Sequence, residues 1–307
     1  VNEVGIRLEG VTKGYSGHLA VKNLSLEIPK GSVFGILGPN GAGKTTTLRM
    51  VMNVLAPDSG TIEILGRPAD GATRDRIGYM PEERGLYPRM VLEDQLVFFA
   101  EMKGTSRQEA RRRLPAWMAR VGLEDKWRRR RLNELSKGMQ QKAQFIATVL
   151  HDPEILILDE PMSGLDPVAA DVMRNVLLEL RRQGKTLVLS SHQMDTVERL
   201  CDSIALIDRG EKLLDGSVSD VKRRFGANNL AVAFEGDGGF LASLPGVERV
   251  TDHGQFAELR LAVGADPQQI LRLVTERVLV KRFEIVEPSL HAIFVDQVTG
   301  HATTSAA

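Results

Sequence analysis

Residues 33–46 read VFGILGPNGAGKTT, a nearly all-apolar run that breaks into a lysine and threonines spaced by Gly38, Gly41 and Gly43. A short apolar run of this kind reads as a central parallel strand. Gly38–Thr45 follows the spacing G-x-x-x-x-G-K-[ST], in which glycines let several backbone N–H groups converge on one phosphate. The start of the following helix adds partial positive charge, Lys44 a full charge near the terminal phosphates, and Thr45 a hydroxyl for Mg²⁺. A strand, a phosphate loop and a helix in this order demand an open α/β sheet with the loop at a strand's C-terminal end.

The rest of the chain supplies such a sheet. VKNLSLEI (21–28) alternates like a half-buried strand, and TIEILG (61–66), RIGYM (76–80), EILILDE (154–160) and TLVLSSH (186–192) read as further strands. SIALIDRGEKLLDG (203–216) reads as a hairpin turning at Arg209-Gly210. Helical patterns cover Val91 to Val121, the segment after LSKGM with Phe145, Ile146, Val149 and Leu150 at helical spacing, and Pro167 to Arg182. The fold class is α/β. Composition shifts at GANN (226–229), and beyond it short strands (230–235, 247–252, 257–262, 282–286) and helices (267–277, 289–297) predict a small α+β domain over 228–300, with 301–307 a flexible tail.

Bulk properties narrow the function. The 40 basic residues balance 40 acidic ones, so nothing global recruits nucleic acid or an anionic membrane. The runs Arg111–Arg113 and Arg128–Arg131 read as solvated faces, the alternative being a patch for a partner or lipid headgroups. One cysteine, Cys201, excludes a disulfide framework and reads as buried and inert. The first residues lack a signal-peptide layout, and no apolar run reaches the ~18 residues of a membrane span. The expectation is a soluble or peripheral protein whose membrane role, if any, needs a partner chain.

Leu156-Ile-Leu-Asp159-Glu160 carries two carboxylates past the end of an apolar strand, where ligands of open sheets bind. Asp159 is expected to hold Mg²⁺ through water, leaving Glu160 to orient or deprotonate an attacking water. That arrangement predicts hydrolysis.

Over residues 3–225 these features resemble the ATPase subunit of ATP-binding cassette (ABC) transporters. LSKGMQQ (135–141) is similar to the family's signature, Ser163–Asp166 to its D-loop, His192 to its switch histidine, and Tyr15 to the aromatic that stacks on adenine. The resemblance implies a mostly parallel central sheet, an antiparallel β subdomain and an inserted helical subdomain over about 85–150. It implies that ATP is cradled by Gly38, Pro39, Asn40, Gly41, Ala42, Gly43, Lys44, Thr45 and Thr46. Ser136 and Gly138 would reach the ATP of the opposite chain, His192 the γ-phosphate, and Thr45, Glu82 and Asp159 the Mg²⁺. It further implies a second copy or close paralogue as partner, a membrane permease, no nucleic acid, and a place on the inner face of the cell membrane.

Lys137 stands where the family has glycine, Met139 where it has glutamine, and Glu82 where the Q-loop has glutamine. Lys137 is expected to face solvent; the alternative is added charge at the phosphate. The PEERGLYP-type wording and the C-terminal EPSLHAIFV resemble an exporter branch for sodium or drugs, with His291 where that branch has an acid. Leu86, Tyr87 and Met90 are expected to face a permease, Leu96, Phe98 and Phe99 the interior. Met50, Met52, Trp117 and Met118 read as core or subunit contacts, and Asp166 as a helix cap. Two rivals stay open: a soluble ABC protein acting on nucleic acid or ribosomes, and a nucleotide switch without turnover.

Overall fold

The computed structural model describes residues 3–83, 85–225, 229–262 and 264–304. The chain divides into two compact units, Val1–Asp215 and Gly216–Ala307. The boundary expected near 225–228 includes residues 226–228, outside the described ones.

In the first unit, β1 (Val4–Tyr15) pairs antiparallel with β2 (His18–Pro29), and β3 (Val33–Leu37) leads into α1 (Lys44–Val51). There follow β4 (Ser59–Ile64), β5 (Arg67–Pro68), α2 (Gly71–Arg74) and β6 (Ile77–Met80). Three longer helices come next: α3 (Leu92–Met102), α4 (Arg107–Arg120) and α5 (Lys137–Val149). The chain then returns through β7 (Ile155–Asp159), α6 (Pro167–Arg182), β8 (Thr186–Ser191), α7 (Met194–Leu200), β9 (Ser203–Asp208) and β10 (Glu211–Ser217).

Six strands form one sheet in the order β10-β9-β3-β8-β7-β6, in which β3 runs parallel to β8 and β9, and β7 parallel to β6 and β8. Strands β3, β7 and β8 are buried at every residue, which explains their unalternated apolar sequences. A second, antiparallel sheet has the order β2-β1-β4-β5. Strand β1 has no counterpart in the sequence reading. Gly5, Gly10 and Gly14 interrupt its apolar alternation, and its pairing with β2 shifts register between Leu8 and Val11 and again beyond. One apolar core unites the two sheets around α1, including Ile6, Leu26, Ile36, Leu48, Met50, Ile64, Ile157 and Val188.

The helical insertion has its own packing. The buried face of α3 is Leu92, Leu96, Val97 and Ala100, with Gln95. Phe98 lies off that face and is 40% exposed, so its expected interior place is corrected. Leu86, expected at an interface, is buried, whereas Tyr87 is exposed. The ring of Trp117 meets Phe145 edge-on at 6.3 Å, and the Arg120 guanidinium stacks on Trp117 at 4.0 Å. Several arginines of the two runs are tied down locally. Arg111 and Arg128 both reach Glu93, and Arg112 and Arg113 hydrogen-bond Glu109, whose carboxyl they hold down to about 2.

The second unit holds α8 (Val218–Arg224) and the antiparallel sheet β12-β13-β11-β14, made of β11 (Asn229–Glu235), β12 (Val247–Asp252), β13 (Phe256–Leu261) and β14 (Leu279–Val286). It also holds α9 (Pro267–Thr275) and α10 (Leu290–Thr304). Leu230, Val232, Phe234, Leu259, Ile270 and Val274 form its separate core. Asp296 on α10 accepts hydrogen bonds from Arg249 and Arg260 of the sheet. Helix α10 continues past residue 297, where the sequence pattern fades; residues 305–307 of the expected tail lie outside the described ones.

Candidate nucleotide site

The loop between β3 and α1 can be built only from glycine at two points. Gly38 has φ +155°, and a Cβ there would stand 2.1 Å from the carbonyl oxygen of Ile207. Gly43 has φ +106°, and a Cβ would stand 2.3 Å from the carbonyl of Ala20. Both distances are far below any real Cβ contact, so backbone packs on backbone here. Gly43 is the N-cap of α1 and brings no side chain to its first turn, which leaves those N–H groups for a ligand.

Lys44 is buried, and its Nζ donates to the carbonyls of Gly38 at 2.7 Å and Pro39 at 3.0 Å. The ammonium is thus held inside the curl of its own loop. Burial pushes its pKa below the ordinary lysine value, while Glu160, Asp159 and Glu82 pull it back up. These groups share a cleft of about 450 Å³, lined by Tyr15, His18, Ala20, Asn40–Thr46, Glu82, Asp159 and Glu160. His18, which pairs with Tyr15 across the β1–β2 turn, was not singled out in the sequence. Its signal there is only proximity to Tyr15.

Asp159 ends β7 and is almost wholly buried. Its Oδ1 accepts a hydrogen bond from the Ser190 hydroxyl of β8, and Ser190 Oγ in turn accepts from the Glu160 N–H at 3.1 Å. Ser190 is a second residue the sequence did not reveal, because only the parallel β7–β8 register sets it beside Asp159. The other oxygen, Asp159 Oδ2, is buried without a hydrogen-bond partner among the described residues. A buried, unpaired carboxylate oxygen in a phosphate cleft fits a divalent cation. The described residues hold no cluster of three or more His, Cys, Asp or Glu able to cage a metal. Mg²⁺ is commonly bound through one or two carboxylates together with substrate phosphate and water.

Glu160 adopts φ +50°, a left-handed conformation rare for a side-chain-bearing residue and common where strain serves a site. His192 Nδ1 lies 2.8 Å from Glu160 Oε1. His192 is therefore placed against the Glu160 carboxylate; it does not itself line the cleft.

The signature segment forms the start of α5. Ser136 is its N-cap and accepts from the Met139 N–H at 3.3 Å. Ser136 and Lys137 are exposed, and neither they nor Gly138 line the cleft of their own protomer. A Cβ on Gly138 would meet Gly164 O at 3.6 Å and Leu165 Cδ2 at 3.8 Å, ordinary contacts, so the protomer does not require glycine there. Asp166 caps α6 by accepting from the Ala169 N–H at 2.9 Å, as expected. Cys201 is buried, and burial pushes its thiol pKa up. A second, more apolar groove of about 310 Å³ runs beside Leu86, Phe99, Met102, Gln144 and His151.

The chain is similar to known proteins over most of its length. Residues 21–163 match the family described as ABC transporter, and residues 216–298 match the one described as ATP-binding protein DrrA1-3-like, C-terminal domain. The uncharacterized ABC transporter ATP-binding protein YhaQ of Bacillus subtilis (strain 168) is 40% identical over 293 residues, covering 95% of this chain and 98% of that protein. The Nod factor export ATP-binding protein I of Rhizobium sp. (strain N33) is 34% identical over 301 residues, covering 96% and 97%. A solved dimeric structure of MJ0796, a bacterial ABC transporter cassette, superposes with a TM-score of 0.65 at 26% identity, over 69% of this chain and 98% of that one. The chain belongs to the ATP-binding proteins of ABC transporters. It is an ATP-binding, ATP-hydrolysing subunit, and the readings as a nucleic-acid or ribosome factor and as a switch without turnover fall away.

Proposed function

We propose that the protein energises export through a separate membrane permease, hydrolysing ATP that is clasped between two protomers. The observation that carries this reading is the division of the machinery within one protomer. The phosphate loop and the carboxylates share a cleft, while Ser136, exposed, and Gly138, half-buried, stand outside it at a turn whose bareness nothing in the protomer requires.

In this reading Gly38–Thr46 hold the triphosphate, Lys44 offsets the charge on its terminal oxygens, and Tyr15 stacks on the base. Ser136 and Gly138 of the opposite protomer donate to the γ-phosphate. Thr45, Glu82 and Asp159 would hold Mg²⁺, which when bound neutralises phosphate charge. Glu160 accepts the proton of the attacking water, and His192 at 2.8 Å keeps that carboxylate aimed. Loss of the γ-phosphate removes charge-assisted hydrogen bonds of about 1.5–3 kcal/mol each, which loosens the pair.

Two likenesses support export and pairing: a relative named for Nod factor export and a cassette solved as a dimer. No helix among the described residues is long and apolar enough to cross a membrane, so a permease chain would supply the path and hold this one at the inner face. An ATP-binding domain over 1–225 and an accessory domain over 228–300 complete the reading. The test is ATPase rate against protein concentration at saturating ATP. A rate rising more than linearly at dilution is expected; a strictly linear rate in a verified monomer overturns the shared site.

A further inference from the structure

Helix α5 carries a buried glutamine that the scheme above does not use. Gln144 is 3% exposed, and its Nε2 donates to the carbonyls of Pro81 at 2.7 Å and Glu83 at 3.2 Å. Those two carbonyls flank Glu82, whose side chain lines the nucleotide cleft. One turn further along the helix, the hydroxyl of Thr148 lies 3.4 Å from the carbonyl of Tyr79, near the end of β6. A Cβ at Gly78 would stand 2.3 Å from Thr148 O, so β6 and α5 meet backbone to backbone. The face of α5 from Gln144 to Thr148 is thus laid along the backbone of 78–83, and Gln144 clamps the last residues of that run.

Glu82 needs such a clamp. It follows the end of β6, is exposed, and belongs to no regular element. An unsupported carboxylate beside Asp159 and Glu160 would be pushed away from them by like charge. Two carbonyls fixed on either side of it oppose that displacement. The same helix begins, eight residues earlier, at the Ser136 cap, roughly 12 Å away along a continuous α-helix.

We propose that Gln144 is the positioning residue for Glu82, and that through it one rigid helix joins Glu82 in a protomer's own cleft to the Ser136–Gly138 turn it presents outward. The role of Glu82 and the outward use of the turn rest on the reading given under Proposed function. Gln144 acts through the backbone of 81–83 and touches no nucleotide. Displacement of Glu82 then shifts α5, and the turn at its start moves with it.

The experiment is a double-mutant cycle on the full chain with Gln144→Leu, Glu82→Ala and both together, reading kcat and the ATP KM. Binding of a fluorescent ATP analogue to dilute protomer is measured in parallel. Gln144→Leu is expected to lower kcat about tenfold or more, as loss of a supporting hydrogen bond behind a site residue typically does, with analogue binding retained. In the Glu82→Ala background the same substitution is expected to change kcat less than twofold, because the residue it positions is gone. A full drop in both backgrounds means that Gln144 acts only as packing and overturns the proposal, as does a normal kcat in Gln144→Leu. If Glu82→Ala alone leaves kcat unchanged, the assigned role of Glu82 fails, and the proposal with it. Should the leucine variant not fold, Gln144→Asn, too short to reach both carbonyls, enters the same cycle with the same outcomes.

Discussion

Two helices in this protein begin with a lysine beside glycine, and they begin for different reasons. At α1 the preceding loop is closed on itself. A Cβ at Gly38 or Gly43 would stand 2.1 or 2.3 Å from a backbone carbonyl oxygen, so glycine is forced there, and Lys44 is buried with its ammonium held by two loop carbonyls. At α5 the turn is open. Gly138 has room for a side chain, Lys137 is exposed, and the first turn holds no acid to balance that charge. The first start is justified wholly by its own protomer, so its glycines are a folding requirement. The second is not, so its bareness reads as clearance for something outside the protomer.

The sharpest test of this contrast is Glu160→Gln, which should cut hydrolysis by about 10²–10⁴-fold while ATP still drives dimerisation, measured by turnover and by sedimentation. Normal turnover in that variant refutes the role given to Glu160. Next in size is a pair of alanines. Gly38→Ala forces a side chain into an occupied, left-handed position and should cost about 1–3 kcal/mol or more, with ATP binding lost. Gly138→Ala should leave the fold intact or gain up to ~1 kcal/mol from helix propensity, yet weaken ATP-driven dimerisation. If both alanines behave alike in thermal melts, the contrast is wrong.

Ser136→Ala removes the α5 cap, worth about 1 kcal/mol, and should lower Tm by roughly 2–4 °C. Any loss of dimerisation beyond that would mark a second use of the hydroxyl. The smallest effect belongs to Lys137→Ala. Removing a cation from the positive end of a helix should stabilise α5 by about 0.3–1 kcal/mol in a melt. A fall in ATP-driven dimerisation instead would show that this lysine, like Lys44, meets phosphate.

Much of the site is legible in the sequence. The phosphate loop, the Asp159-Glu160 pair and the Asp166 cap are contiguous patterns, each with a local physical signature. What escaped notice was set by pairing across the sheet or the chain. Strand β1 hides behind three glycines and shifted registers, Ser190 reaches Asp159 only through the β7–β8 ladder, and Gln144 reads as one more polar position on a helix. Phe98 was misplaced because an apolar residue announces a preference for burial, while the face of α3 that turns inward is chosen by its neighbours.

The amino-acid order alone therefore determined the chemistry on offer: a glycine loop for phosphate, two acids past an apolar strand, a capped turn stripped of bulk. Those are short-range facts, written in the spacing of a few residues and in backbone sterics. Only the tertiary structure decided which groups meet. It closed Lys44 into its loop, left Asp159 Oδ2 unpaired, turned His192 toward Glu160, and set Ser136 apart from the cleft. The Glu160–His192 and Asp159–Ser190 pairings join residues about 30 positions apart, and the packing that brings them together depends on the whole core.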